Sequence, residues 1–391
     1  MTGDSGGSAG DLLALLECYG SVTRSDLVRL SGLPRTTVTG MVSDLIDRGL
    51  VMEHAGGHGP AARAGRPARP LSLAGPPTLT AVLACGRSGI EAALVTYPGQ
   101  IAARSSTREV ARGQAGDVDA LAGPGGDLVE TMLNDGGFSP GQLDQVVIGL
   151  PRPVGPGESA AGVAARLGVP VRVENDANLA TLGEAAYGAG RGHDSLIYLK
   201  LGHNVGAGLV IDGRLHRGAS GFAGELAHVR VRADGDVCTC GGRGCLAEIV
   251  GLSLLDFAQR SYEERLALPQ VLALVAEREP AVRRVFADLG RLVGEPLASL
   301  CTLLDPAAVV IDGSLGAAGQ YVLAGIRESI DRHTVPVVAD SVQVIPGELA
   351  DRAELLGGAA LARNLRLAAV RGARAHRLPR RGRLVRLTGP V

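Results

Sequence analysis

Residues 83–95 read LACGRSGIEAALV, and residues 199–210 read LKLGHNVGAGLV. The two stretches align with one gap, about 115 residues apart. Each is an apolar run, a glycine-bearing turn and a second apolar run. The pattern predicts two β-hairpins. The first joins Leu79–Cys85 to Ile90–Tyr97 around Gly86-Arg87-Ser88-Gly89. The second joins Leu196–Leu201 to Ala207–Leu215 around Gly202-His203-Asn204-Val205-Gly206. One reading is a duplicated α/β fold of two lobes with a cleft between them; the other is two unrelated hairpins.

Working outward, a chain of 391 residues has room for two or three domains. Its 39 basic and 40 acidic side chains nearly cancel, so no whole-chain field draws it to nucleic acid or membrane, and any DNA-binding surface must be local. No stretch reaches the roughly 18 apolar residues of a membrane helix. Residues 1–10 are small and polar, without a basic start or an apolar core, and read as a flexible leader rather than a signal peptide. After Leu365 come eight Arg and no acid; residues 366–391 read as a solvated or disordered basic tail, with DNA contact as the other reading.

Residues 11–75 form a different texture. Leu12, Leu13, Leu15 and Leu16 give a first helix its apolar face. A second helix runs from about Ser25 to Leu30, Ser31-Gly32-Leu33 makes a turn, and a third starts near Pro34. Val38, Met41, Val42, Leu45 and Ile46 recur at helical spacing, and Gly49 ends the run. Val51–Glu53 and Leu71–Leu73 read as two strands flanking a Gly-, Pro- and Arg-rich wing, and Gly75-Pro76-Pro77 as a boundary. Helix, turn, helix and wing is a DNA-binding plan. Arg35, Thr36, Thr37 and Thr39 face outward on the third helix, suited to a major groove, and Arg66 in the wing suits a minor groove. Residues 21–75 hold seven Arg against four acids, which supplies the local charge. An ordinary helical subdomain with a polar face is the competing reading.

Two clusters carry chemistry. His228, Cys238, Cys240 and Cys245 offer an imidazole and three thiolates, a closed tetrahedral set for one structural zinc ion. Three of the six cysteines lie within eight residues, which reads as a metal site in a reducing cytoplasm rather than a disulfide framework. Glu174-Asn175-Asp176-Ala177-Asn178 follows a predicted strand, Val169–Val173. A carboxylate there can take a proton from a sugar hydroxyl, or the segment can simply cap a helix. Glu225, His228 and Glu248 add acids and an imidazole of the kind that binds polyols, and His228 could give one ring nitrogen to metal and the other to a ligand.

VPVRVENDANLATLGEAAYGAGRG at 169–192, GRLHRGASGFAGELAHV at 213–229 and CTCGGRGCLAE at 238–248 resemble the signature stretches of the ROK family of sugar kinases and sugar-responsive repressors. The resemblance spans about Leu79 to Arg363. With the added winged helix, it implies a ROK transcriptional regulator: a winged helix-turn-helix at 11–75, then an α/β, two-lobed actin/hexokinase-like domain at 76–365. It places Asp176 at the family's catalytic aspartate. Asn175, Asp176, Glu225, His228 and Glu248 match its sugar contacts, and His228, Cys238, Cys240 and Cys245 its zinc ligands.

The chain also departs from the family. The kinases' first phosphate turn, Asp-x-Gly-x-Thr, is Ala84-Cys85-Gly86-Arg87-Ser88 here. The second, Gly-Thr-Gly-x-Gly, is Gly202-His203-Asn204-Val205-Gly206, and an adenosine-side glycine run is Asp312-Gly313-Ser314. After Val154 about twenty residues of loop over the sugar are missing. The expectation is a cytoplasmic homodimeric or homotetrameric repressor with no enzymatic activity. It would bind a double-stranded DNA operator, sense a sugar or sugar phosphate and have no membrane partner. Two alternatives stand beside it: a working sugar kinase with a DNA-binding appendage, and a sugar-independent dimeric DNA binder.

Overall fold

The structure, a computed structural model, describes residues 6–54, 69–74, 77–86, 89–108, 118–201, 205–250, 270–271, 273–274, 277 and 280–375. The chain divides into two compact units, residues 1–77 with 362–391, and residues 78–361.

The first unit begins with α1 (Gly6–Tyr19), followed by β1 (Val22–Thr23), α2 (Arg24–Ser31), α3 (Arg35–Asp47), β2 (Val51–Glu53) and β3 (Pro70–Leu73). Thr23 and Asp26 form a reciprocal capping box that starts α2, and Gly32 ends it in the left-handed conformation. Pro34 then stands at the N-cap of α3. Leu12, Leu16, Leu27, Val38, Val42, Leu45, Val51 and Leu71 close one core, and the strands pair antiparallel in the order β1-β3-β2. The predicted helices and wing strands are therefore present. The helix expected to follow a ten-residue leader instead starts at Gly6, and Ala9 packs on the core. Arg66 and the rest of the wing tip lie outside the described residues, as does the Gly75-Pro76 boundary.

The second unit contains the duplication that the two hairpins foretold. Its first sheet comprises β4 (Leu79–Gly86), β5 (Gly89–Thr96), β6 (Ile101–Thr107), β7 (Leu143–Leu150) and β8 (Val171–Asn175), ordered β6-β5-β4-β7-β8. Helices α4 (Ala122–Asp135) and α5 (Ala161–Leu167) cover it. The second comprises β9 (Leu196–Leu201), β10 (Val205–Ile211), β11 (Arg214–His216), β12 (Ala308–Ile311) and β13 (Gln343–Pro346), ordered β11-β10-β9-β12-β13. In each sheet three antiparallel strands lead into two parallel ones. The run expected as one strand, Ala207–Leu215, is two: Asp212 (φ 51) and Gly213 (φ 69) both adopt positive φ, the backbone of a tight hairpin turn.

Helix α6 (Asp176–Tyr187) leaves the first sheet and packs against β9 and β10 of the second. The second sheet's core is closed by α7 (Pro280–Leu304) and α8 (Gly319–His333), with the short α9 (Pro336–Ser341) beside them. The last helix, α10 (Ala353–Ala375), returns to the first sheet, where Gly358 lies against Val82. Helices α6 and α10 cross backbone to backbone. A Cβ at Gly357 would overlap the Leu179 carbonyl, and one at Gly183 would overlap that of Ala353. From Ala362 onward α10 belongs to the first unit; Leu367 packs on that unit's core and Arg366 pairs with Glu17. The basic tail expected from 366 is thus helical to Ala375. Its apolar residues, Leu365 and Leu367 among them, continue the helix that a count of arginines had hidden. Residues 376–391 lie outside the described residues.

The crossing gives a testable consequence. Gly357→Ala must push two helices apart, and an overpacked contact of this kind costs about 1–3 kcal/mol. Urea denaturation should show that loss, whereas Gly123→Ala, where nothing lies within 4 Å of the added methyl, should not show an overpacking cost.

Candidate DNA surface, metal centre and sugar cleft

On α3 the core-facing residues Val38, Val42 and Leu45 are fully buried, and this fixes which side faces solvent. Arg35, Thr36 and Thr39 are exposed and Thr37 is half-buried. Thr39 Oγ1 donates to the Arg35 carbonyl at 2.8 Å. The other arginines described here are engaged: Arg24 and Arg69 with Glu53, Arg29 with Asp26, Arg48 with Asp44. Among the described residues of α3 and its flanks, Arg35 forms no ion pair, so its guanidinium is available.

The four expected metal ligands converge. The ligand atoms of His228, Cys238, Cys240 and Cys245 all lie within 4.8 Å of one another. Cys240 Sγ and Cys245 Sγ are 3.7 Å apart, and Cys238 Sγ is 3.5 Å from His228 Nδ1. A tetrahedral zinc with bonds of about 2.3 Å to sulfur and 2.0–2.1 Å to nitrogen requires edges of roughly 3.8 and 3.5 Å. The residues therefore fit the ion. Backbone bridges Arg230–Cys245 and Val237–Arg243 frame the loop. Gly244 must be glycine, since its φ is +67° and a Cβ would overlap the Arg232 carbonyl.

His228 links this centre to the cleft. With Nδ1 toward the thiols, its Nε2 is 4.0 Å from Glu225 Oε2. Burial raises the Glu225 carboxyl above its ordinary range, His228 opposes this, and the Asp176 charge adds to it. Glu248 is half-buried in the helical stretch 246–250, its N–H donating to the Cys245 carbonyl at 3.2 Å. Asn175 has a structural duty: its Oδ1 caps α6 by accepting from Asn178 N–H at 3.0 Å. Its Nδ2 donates to the Arg152 carbonyl and to Asp176 Oδ1, both at 3.2 Å. The helix-cap reading of this segment is realised. Glu174 is buried and held by Arg217 at 2.6 Å and Asn178 at 2.9 Å. The shortened loop after Val154 lies directly against Gly221, where a Cβ would overlap the Val154 carbonyl.

Two cleft residues escaped sequence reasoning. Lys200, on β9, donates to Asp176 Oδ2 at 2.7 Å and to Glu354 Oε2 at 3.3 Å. Glu354, in the first turn of α10, is half-buried, with its Oε1 covered against Gly149. The lone lysine of the chain was visible as a composition oddity, but nothing in its neighbours in sequence pairs it with a residue 154 positions away. Ala84, the expected lost carboxylate, lies on β4 opposite Gly149 and Glu91. Arg87, Ser88, Gly202, His203 and Asn204 of the two turns are outside the described residues.

Comparison with known proteins accords with this geometry. The profile described as "ROK family" matches residues 157–365, and that of the IclR helix-turn-helix domain matches residues 9–54. A glucokinase of Streptomyces coelicolor is 36% identical over 223 residues, covering 51% of this chain and 69% of that protein. A xylose repressor of Caldicellulosiruptor bescii is 26% identical over 371 residues, 86% of this chain and 90% of that protein. Among solved structures, a ROK family transcriptional regulator, a homologue of the E. coli MLC protein, shares the fold with a TM-score of 0.74 at 23% identity. That likeness covers 93% of this chain and 96% of that one. A Streptomyces griseus glucokinase in complex with glucose and AMPPNP gives 0.62 at 29% identity, over 73% and 99%.

Glu354 supplies a pH signature. Burial, aided by the Asp176 charge and opposed by Lys200, lifts its carboxyl to about 7. A raised carboxyl favours the protonated native state, so its stabilisation is full below about pH 4.5 and is lost as pH rises through 7. Denaturant midpoints of wild type and Glu354→Gln across pH 5–8 should show that decline only in the wild type.

Proposed function

The chain belongs to the ROK family, and on that premise we propose that it is a DNA-binding transcriptional repressor whose ROK domain senses a sugar instead of phosphorylating it. The observation that carries this reading is the union, in one chain, of an exposed recognition helix with an unpaired Arg35 and a cleft whose Asp176 faces the ammonium of Lys200. A general base needs an accessible lone pair on its substrate's hydroxyl. The loss of phosphate-turn chemistry at Ala84 points the same way, because phosphoryl transfer relies on positioned phosphates and metal. The match to a xylose repressor along most of both chains supports a regulator.

In this reading Arg35, Thr36, Thr37 and Thr39 read the operator and Arg66 adds a wing contact. Asn175, Asp176, Glu225, His228 and Glu248 take the hydroxyls of a sugar or sugar phosphate. His228, Cys238, Cys240 and Cys245 hold one zinc ion, which fixes the imidazole so that Nε2 addresses the cleft. When bound, the ion is structural, since four protein ligands leave no open position. The protein acts in the cytoplasm as a homodimer or homotetramer, matching the two-fold symmetry of operators. No helix among the described residues is long and apolar enough to cross a membrane.

Gel-shift titration against the chain's own upstream DNA tests the central reading. Arg35→Ala should weaken binding by about 1–3 kcal/mol if Arg35 meets a base, and D-xylose or D-glucose should release the wild type from its operator. Sugar-dependent ADP formation abolished by Asp176→Asn would overturn the reading in favour of a kinase. Elemental analysis should find one zinc per chain. Cys240→Ser should lose the metal and the sugar response before it loses DNA binding; protein purified without chelator and free of zinc would refute the metal assignment.

A further inference from the structure

Lys200 is the one lysine of the chain, and it sits half-buried on a central strand of the second sheet. Its aliphatic stem rises from β9 toward the crossing of α6 and α10, and its ammonium meets one carboxylate from each helix. Asp176 Oδ2 accepts from it at 2.7 Å, while Asp176 Oδ1 accepts from the N–H of Ala177 at 2.7 Å and from Asn175 Nδ2 at 3.2 Å. Both oxygens therefore already face donors. Burial disfavours the ammonium, but Glu354 and Asp176 outweigh it and keep the proton on nitrogen. Asp312 after β12, Tyr198 on β9, Cys85 on β4, Glu225 beside His228 and Glu91 on β5 are other titratable groups near this cluster among the described residues.

We infer that Lys200 is a positioning cation built into the cleft, which converts Asp176 from a proton-abstracting base into a fixed acceptor for ligand hydroxyls. The chemistry is local. Lys200 occupies Asp176 Oδ2 while the Ala177 N–H and the Asn175 amide occupy Oδ1, so the lone pairs are directed by these donors instead of by the substrate. The carboxylate's acceptor strength toward a neutral hydroxyl survives, because each carboxylate oxygen has more than one lone-pair site. A ligand can thus be held without losing a proton, which is what a sensor needs and a kinase does not. Lys200 also ties the residue facing the sugar to Glu354 at the head of α10. The inference rests on the sensor reading only in treating Asp176 as a cleft residue.

The single lysine makes the test direct. Protein labelled with ¹⁵N-lysine should give one side-chain ammonium resonance, observable at pH 6 and low temperature with exchange slower than that of free lysine because two carboxylates hold its protons. In Asp176→Asn that resonance should shift and exchange faster, and in Glu354→Gln it should persist. A resonance that exchanges like free lysine, or one unmoved by Asp176→Asn, overturns the inference. Denaturation adds a second readout. Lys200→Met leaves two carboxylates without a counter-ion, so its loss of stability should grow from pH 5 to pH 8, and the Lys200→Met/Asp176→Asn double variant should recover much of it. A loss independent of pH and untouched by the second substitution would mean that Lys200 only fills space. If Lys200→Met does not fold, the resonance in wild type and Asp176→Asn decides. None of these measurements uses sugar or DNA, so a sugar panel without effect would count against the sensor reading alone.

Discussion

Two helices that cross at glycine are the constraint on which the larger unit depends. Gly183 and Gly357 let α6 and α10 approach until the backbone of each touches the other. Each helix comes from one half of the duplication and packs against the sheet of the other half. The crossing therefore fastens the two halves, and it fixes where the first residues of both helices lie. Asp176 opens α6 and Glu354 opens the first turn of α10, so a single side chain on β9 can reach both.

The electrostatics of the cleft follow from that placement. Three half-buried groups meet there, two carboxylates within hydrogen-bond distance of one ammonium, and a partly desolvated charge without a partner is costly. Protonation of Glu354, favoured by its burial, leaves Lys200 and Asp176 as a neutral pair. The neighbouring acid is likewise matched, Glu174 by Arg217. Asn175 serves two structural partners with one amide: its oxygen caps α6 and its nitrogen donates to the Arg152 carbonyl.

The thiol cluster extends the same logic outward. The Gly-rich loop between Cys238 and Cys245 folds tightly enough to set its sulfurs at zinc-like separations. One ring nitrogen of His228 faces that cluster and the other faces Glu225. A metal bound there would fix the His228 ring, and with it the nitrogen that faces Glu225.

The sequence by itself determined the fold class, the order of its main elements and the clustering of one imidazole with three thiols. Helical spacing from Val38 to Ile46, the turn at Gly32 and the paired glycine hairpins are short-range signals, and local backbone preference is enough to read them. The thiolate and imidazole set was legible because a metal demands particular residue types at close spacing. Other features needed the tertiary structure. The strand Ala207–Leu215 broke at Asp212 because a two-residue turn with positive φ weighs more than an apolar run. Ala9 of α1 and Leu367 of α10 pack on the first unit's core, contacts that composition does not record. Lys200 is the clearest case. Its partners lie 24 and 154 residues away, and only the crossing of two helices brings their charges to one ammonium.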